Sequence, residues 1–468
     1  MMNRHQYVSL WLEEALASEP AAPEPRAPIP ATADVVIVGG GFTGLWTAIR
    51  LRDREPDCRV CVVEAVYCGY GASGRNGGIA GTSWAKFPAL ERLYGRQAAL
   101  DVGNAIERCL RELPELCERE GIDAELRFEG GAWVATNAAQ LGAWQEVVSA
   151  LEAAGHAHFR PLSAEEAREL TGSRTVLGGV ATDVEATLHP GRLARGLRRV
   201  AIERGVTVCE DARMLGLDGR SPVEVRTSRG VVRADRVVLA TNAWAAGLRP
   251  LRPHLFVTSS DIVATAPLPP ESLTGGLGRG VALDDSRRMI LYWRSTPSGR
   301  IVFGKGGGWM SIGNRVDRRF TGESGLRDQV ESRLRFLYPE LLGTPVQYSW
   351  NGPIDYSITG LPYFGPLHPG RDDVLVGVGY SGMGVVQTML GGKILAGLAL
   401  GQADELTALP LTRRWERRLP PEPLRSVGAP IVREAIRRKE MMEDAGAAPD
   451  RLTRLVAGLD PTASPNQA

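Results

Sequence analysis

The sequence predicts an α/β fold, α+β overall, in which a nucleotide-binding domain is interleaved with an antiparallel-sheet domain and followed by a helical tail. Three observations carry this. Gly39-Gly40-Gly41-Phe42-Thr43-Gly44 follows the apolar run Ala33–Val38 and precedes Leu45–Leu51, which has helical spacing. Further buried-strand patterns stand far downstream at Arg236–Asn242 and Val374–Gly379. Between them, Phe256–Thr265, Met289–Arg294 and Arg300–Gly304 alternate as antiparallel strands do.

The first segment is a Rossmann-like strand, turn and helix. Gly39 permits the tight turn, Gly41 lets backbone approach a pyrophosphate, and Gly44 allows close helix–strand packing. Arg59–Glu64 is a second buried strand, and it ends in an acid twenty residues past Gly44, where a carboxylate takes ribose hydroxyls. The motif implies a dinucleotide and leaves NAD and FAD both open.

Ahead of it, Asn3–Leu16 reads as a short amphipathic helix with Val8, Leu10, Trp11 and Leu16 apolar, and 17–31 as a linker over the surface. Beyond it, Gln97–Glu120 and Leu141–Gly155 have helical spacing around a strand and turn at Glu129–Ala135. Pro190–Gly205 is a helix with Pro in its first turn and Gly at its end, and His189 is read as its start. Its Arg192/Arg195/Arg198/Arg199 face is read as solvated. Val206–Cys209 follows as a strand, then a hairpin of Val223–Thr227 and Val231–Ala234 around Ser228-Arg229-Gly230. Leu326–Leu337 is a helix, and Val385 onward is another.

The predicted organisation is therefore discontinuous. Residues 1–31 form the N-terminal helix and linker; 32–82, 186–254 and 346–410 the nucleotide-binding domain; 83–185 and 255–345 the substrate domain; and 411–468 a helical extension.

Composition narrows the partners. A net charge of +1 gives no reason to expect nucleic acid or an anionic membrane. Six scattered cysteines make no disulfide framework, and the Cys58/Cys61 pair has no second pair to complete a metal site, so no metal is expected. Val374–Leu400 is apolar, but its glycines divide it into a strand and a helix too short to span a bilayer. With no apolar leader pattern in the first residues, the chain is expected to be soluble and cytoplasmic, with monomer and homodimer both open.

Several segments resemble the D-amino-acid-oxidase-like FAD-dependent oxidoreductases, a family that includes glycine oxidase, sarcosine oxidase and gamma-glutamylputrescine oxidase. Val36–Gly81 is similar to the family's start, and Gly71-Ala72-Ser73-Gly74-Arg75-Asn76-Gly77-Gly78 is its most specific match. Val237–Trp244 resembles a second nucleotide-domain signature. Trp350–Pro353, Leu361–Gly365 and Gly379-Tyr380-Ser381-Gly382-Met383-Gly384 resemble the C-terminal flavin segment.

The resemblance implies FAD. By position, Gly39, Gly41, Phe42, Thr43, Gly44 and Glu64 would hold its pyrophosphate and ribose, and Met214 its adenine through backbone. Ala72, Ser73, Arg75, Asn76, Gly77 and Gly78 would lie along the flavin, with Thr241 and Asn242 beside it. Gly382, Met383 and Gly384 would face the pyrimidine edge. Ile354 stands where flavin-linking relatives carry a cysteine, so noncovalent binding is expected; Val386 replaces a lysine that meets the substrate carboxylate in sarcosine-oxidase relatives.

The implied reaction is oxidation of an amine C–N bond to an imine by hydride transfer to flavin, with O2 or another acceptor reoxidising it. Tyr292 and Arg294, two apart on one strand face, are candidates for substrate contact, Arg294 pairing with an anionic group. Lys305 is a candidate for oxygen activation, and Trp309, Trp350 and Tyr380 for walls of the pocket. A quinone- or protein-linked dehydrogenase, an NAD(P) enzyme resting on the first glycines alone, and a non-catalytic FAD-binding protein are the alternatives.

Overall fold

The computed structural model describes residues 9–19 and 26–460. Its first sheet has eight strands, and six follow the order Tyr363–His368, Arg371–Val378, Gly230–Leu239, Thr32–Val38, Val60–Val63, Thr207–Cys209. The neighbours from Arg371–Val378 to Thr207–Cys209 are all parallel. Helices Phe42–Arg54, Pro190–Glu203 and Gly384–Ala399 bury their apolar faces against this sheet, and Arg96–Arg119 extends the same core. Gly392 is required where the Gly384–Ala399 and Phe42–Arg54 helices meet, because a Cβ there would fall 2.4 Å from the Trp46 side chain.

The second sheet also has eight strands. They run Val346–Ser357, Leu255–Thr265, Ile301–Lys305, Leu291–Ser295, Ala282–Asp285, Gly131–Ala135, Gly178–Thr182, Arg160–Leu162. Its pairs are antiparallel apart from Ala282–Asp285 with Gly131–Ala135. Helix Arg327–Leu337 packs on one face with Trp293 and Phe303. A two-stranded ribbon, Ile79–Gly81 with Glu185–Thr187, lies between the domains.

Three expectations change. Val346–Ser357, assigned by sequence to the nucleotide-binding domain, pairs along its whole length with Leu255–Thr265 in the second sheet. The hairpin strand and the buried strand after it are one strand, Gly230–Leu239. Its first half closes an antiparallel hairpin while its second half enters the parallel sheet, so the polar Asp235-Arg236 pair does not mark a break. Ala17, read as the start of the linker, ends the N-terminal helix Leu10–Ala17, whose Leu10, Trp11 and Leu12 are fully buried. Asn3–Val8 and 20–25 lie outside the described residues.

Smaller differences have local causes. The helix read from Leu141 starts at Gln145, because Gly142 sits at φ 81°, outside helical space. Arg195 is not solvated: it pairs with Glu19, and its Nη1 lies 2.9 Å from Glu210. His189 caps the Pro190–Glu203 helix by accepting the Arg192 N–H at 3.1 Å. Helices Leu424–Asp444 and Arg451–Ala457 form the C-terminal extension. No helix among the described residues is long and apolar enough to cross a membrane.

Candidate active site

The first glycine turn is fixed by close contacts. Gly39 has φ 111°, and a Cβ there would fall 2.5 Å from the Ala240 carbonyl oxygen; at Gly44 it would fall 1.9 Å from the Gly39 carbonyl oxygen. Gly41 caps the Phe42–Arg54 helix without a side chain of its own. Ser73 Oγ accepts the Phe42 N–H at 2.8 Å, tying the turn to the later glycine loop. Glu64 accepts N–H groups from Gly40 at 2.8 Å and Val66 at 3.0 Å, and burial raises its pKa against these bonds.

The Gly71–Gly78 loop is braced from several sides. Asn76 Nδ2 donates to the Ala72 and Ser73 carbonyls, and its Oδ1 accepts the Gly78 N–H at 2.8 Å. Arg75, almost wholly buried, donates to the Tyr70 carbonyl at 2.8 Å. From the N-terminal helix, Trp11 Nε1 donates to the Asn76 carbonyl at 2.8 Å and Ser9 Oγ to the Gly74 carbonyl at 2.5 Å.

The late turn hangs on Asp355. Its carboxylate accepts N–H groups from Gly379 at 2.5 Å and Tyr380 at 3.2 Å, and the Asn242 side-chain amide at 3.0 Å. Burial pushes this carboxyl up to about 7 despite three donors. Ser381 and Gly382 then take φ 53° and 90°, turning the chain into the N-terminus of the Gly384–Ala399 helix. That N-terminus has no side-chain cap, so its partial positive charge is left for a ligand.

These three features line one cavity of about 2510 Å³ between the two sheets. A single small-molecule site spans roughly 300–1,000 Å³, so the space accommodates a dinucleotide and a substrate together. Of the residues expected at the cofactor, Gly39, Gly41, Phe42, Thr43, Glu64, Ala72, Ser73, Arg75, Asn76, Gly77, Met214, Thr241, Asn242, Gly382, Met383 and Gly384 all line it. Gly44 and Gly78 do not: Gly44 sits against the Gly39 backbone, and Gly78 at φ 70° against the Leu188 carbonyl and the Arg294 guanidinium. A helix N-terminus at each end, a buried acid at the ribose position and two glycine-lined walls fit FAD.

Of the candidate catalytic residues, only Tyr292 lines the cavity. Its ring lies over Gly77 and Gly304, where a Cβ would fall 2.5 Å and 2.1 Å from it, and its hydroxyl meets Ser260 Oγ at 2.6 Å. Arg294 shares that face, as alternation requires, but its guanidinium is spent on backbone. Nε donates to the Gly77 carbonyl at 3.2 Å, Nη2 to the Leu188 carbonyl at 2.9 Å, and the group stacks on Trp11. It braces the glycine loop from behind, outside the cavity lining, and its Nη1 is left without a partner. Lys305 also points away from the cavity, donating to the Gly306 carbonyl at 3.2 Å beside the Met289 sulfur. Trp309 and Trp350 do not line the cavity, whereas Tyr380 does.

Sequence reasoning missed Asp355, and it missed a second group on the cavity wall: Lys86, Trp133, Glu185 and Asp284. Burial lowers Lys86 to about 8, raises Glu185 to about 7, and raises Asp284 well above the usual carboxylate range. Alternation places Asp284 and Asp285 on opposite faces of their strand, a signal present in the sequence but masked by the charged run Asp284–Arg288.

The family model described as FAD dependent oxidoreductase matches residues 34–398. The chain is 30% identical to the probable oxidoreductase OrdL of Rhizobium meliloti, over 85% of this chain and 90% of that protein. It is 29% identical to the gamma-glutamylputrescine oxidoreductase of Escherichia coli, over 81% and 86% respectively. The structure is similar to that of glycine oxidase from Geobacillus kaustophilus, with a TM-score of 0.66 at 22% identity, over 82% of this chain and 100% of the other.

Proposed function

Because the chain belongs to the FAD-dependent oxidoreductase family, we propose that it oxidises the C–N bond of an amine or amino-acid-like substrate to an imine, with noncovalent FAD as the electron acceptor and O2 as the reoxidant. The observation that carries this reading is the single cavity, which runs from the first glycine turn to Tyr292 on the second sheet. FAD bound there would supply the two-electron oxidising capacity for the amine C–N bond, with O2 as the reoxidant.

The chain's own residues bind, orient and enclose. The Gly39–Gly44 turn with its helix N-terminus holds the pyrophosphate, and Glu64 the adenosine ribose. The Gly71–Gly78 loop would hold the flavin, and the N-terminus of Gly384–Ala399 would supply positive potential to the reduced ring. Tyr292 forms the opposing wall. Its burial raises the hydroxyl pKa, so it stays protonated and orients the amine as a hydrogen-bonding group. Noncovalent attachment is supported by the lining of the cavity, in which neither a cysteine nor a histidine stands among the described residues.

The test is spectroscopic. The purified protein is expected to be yellow, to release flavin on acid precipitation, to bleach anaerobically with a substrate amine, and to yield peroxide stoichiometric with imine in air. A colourless protein sinks the reading. Bleaching without peroxide transfers the reoxidation step to another acceptor.

A further inference from the structure

We propose that Asp284, Glu185 and Trp133 form a cation subsite, so that the substrate is an amine carrying a second positively charged group remote from the reacting C–N bond. This rests on the amine-oxidising reading of the same cavity.

The geometry comes from register. Trp133 pairs with Asp284, and Asp284 with Tyr292, so the three side chains project from one face of the second sheet in a continuous row. Tyr292 marks the flavin end of that row, over Gly77. With strands about 4.8 Å apart, Asp284 lies one strand spacing from Tyr292 and Trp133 two. Glu185 joins them from the ribbon strand: a Cβ on Gly131 would fall 1.9 Å from its carboxylate, and one on Gly81 3.3 Å. All four residues line the cavity.

Neither carboxyl group is committed to protein. Among the described residues, no hydrogen bond or ion pair involves the Asp284 or Glu185 side chain. The arginines nearest in sequence are engaged elsewhere: Arg287 with Asp285 and Asp444, and Arg288 with Asp460. Protein encloses both acids, and the surface they retain opens onto the cavity. Two unpaired carboxyl groups beside each other at such depth are costly, and a cation between them relieves the cost. The half-buried Trp133 indole adds a face that attracts ammonium groups.

The holoenzyme and its Asp284→Asn and Glu185→Gln variants should be compared with putrescine and with n-butylamine by the rate of anaerobic flavin bleaching. In the wild type the second-order rate constant for bleaching should favour the diamine by about 10- to 100-fold, the range of one charge-assisted contact, and each variant should bring that ratio toward one. Binding of hexamethonium, a doubly quaternary cation that carries no oxidisable N–H, should be measured by calorimetry on the same proteins, with bound-flavin absorbance as the check on folding. It should bind the wild type and weaken at least tenfold in a variant that retains flavin. A wild-type ratio near one, or hexamethonium affinity equal in all three proteins, overturns the subsite. Hexamethonium binding that is lost in the variants, without bleaching by any amine, supports the subsite and sinks the oxidation reading instead. Bleaching without charge preference does the reverse.

Discussion

Asp355 accepts two backbone N–H groups of the late turn and the Asn242 amide, a task that an asparagine of the same shape cannot fill, since one of its two heavy atoms donates. Asp355→Asn should cost about 1–3 kcal/mol at this turn and weaken FAD binding about tenfold, read as flavin retained after gel filtration. The pH dependence adds a sign. The folded-state pKa is raised from 3.8 to about 7, so the native state holds more protons than the unfolded state across that window. The group's contribution is therefore full below 3.8 and is lost as pH rises through about 7. The Tm advantage of wild type over Asp355→Asn should shrink from pH 4 to 7 and level off above; a gap independent of pH contradicts the burial argument. The glycine requirements at 39 and 44 were legible in sequence because a motif with fixed spacing expresses a steric need. Asp355 was not legible, because its three donors come from segments more than twenty or a hundred residues away.

The N-terminal helix, eight residues long, exerts its effect through contacts that its periodicity does not reveal. The pattern of Leu10, Trp11 and Leu16 marked an apolar side, but nothing local names the glycine loop as what that side covers. Trp11 makes edge contacts with Trp350 and His189, receives the Arg294 guanidinium on its face, and bonds the Asn76 carbonyl. Trp11→Phe, which keeps the ring contacts and loses the bond, should destabilise by about 1 kcal/mol, and Trp11→Ala by about 3–5 kcal/mol. Both should lower flavin occupancy in that order when denaturant midpoints and bound-flavin absorbance are measured together. Equal flavin occupancy in the two variants would detach the helix from the loop. The strand Val346–Ser357 was misplaced for the same reason: its own alternation makes it a strand, while its partner, Leu255–Thr265, lies about ninety residues earlier.

At the level of the molecule, residues of both sheets line the cavity, and the C-terminal helices pack behind its wall at Asp285–Met289. Asp444 receives the Arg287 guanidinium, Arg333 and the Asn137 amide, and Glu440 accepts the Met289 N–H at 2.8 Å. Removing residues 419–468 would leave the buried Arg287 with Asp285 and Thr136 alone. The truncated chain should lose several kcal/mol of stability, since stripping one partner from a buried charge cluster costs about 3–5 kcal/mol. Its thermal midpoint should fall, and Arg287→Met in the truncated chain should recover part of the loss. The α/β class followed from buried-strand patterns, whereas the order of the parallel strands came only from their pairing. The interior of the cavity did not follow either, because it forms only where the glycine loops, the ribbon and the second sheet converge.

The helix that covers the glycine loop also sets a timetable. Trp11 leaves the ribosome long before Trp350, against which it finally packs. At ~5–20 residues per second the interval is on the order of tens of seconds. Until then Leu10 and Trp11 lack Trp350, the last-made of the buried second-sheet residues that they pack with in the finished chain. The N-terminal helix therefore gains its full packing only once strand Val346–Ser357 has been made.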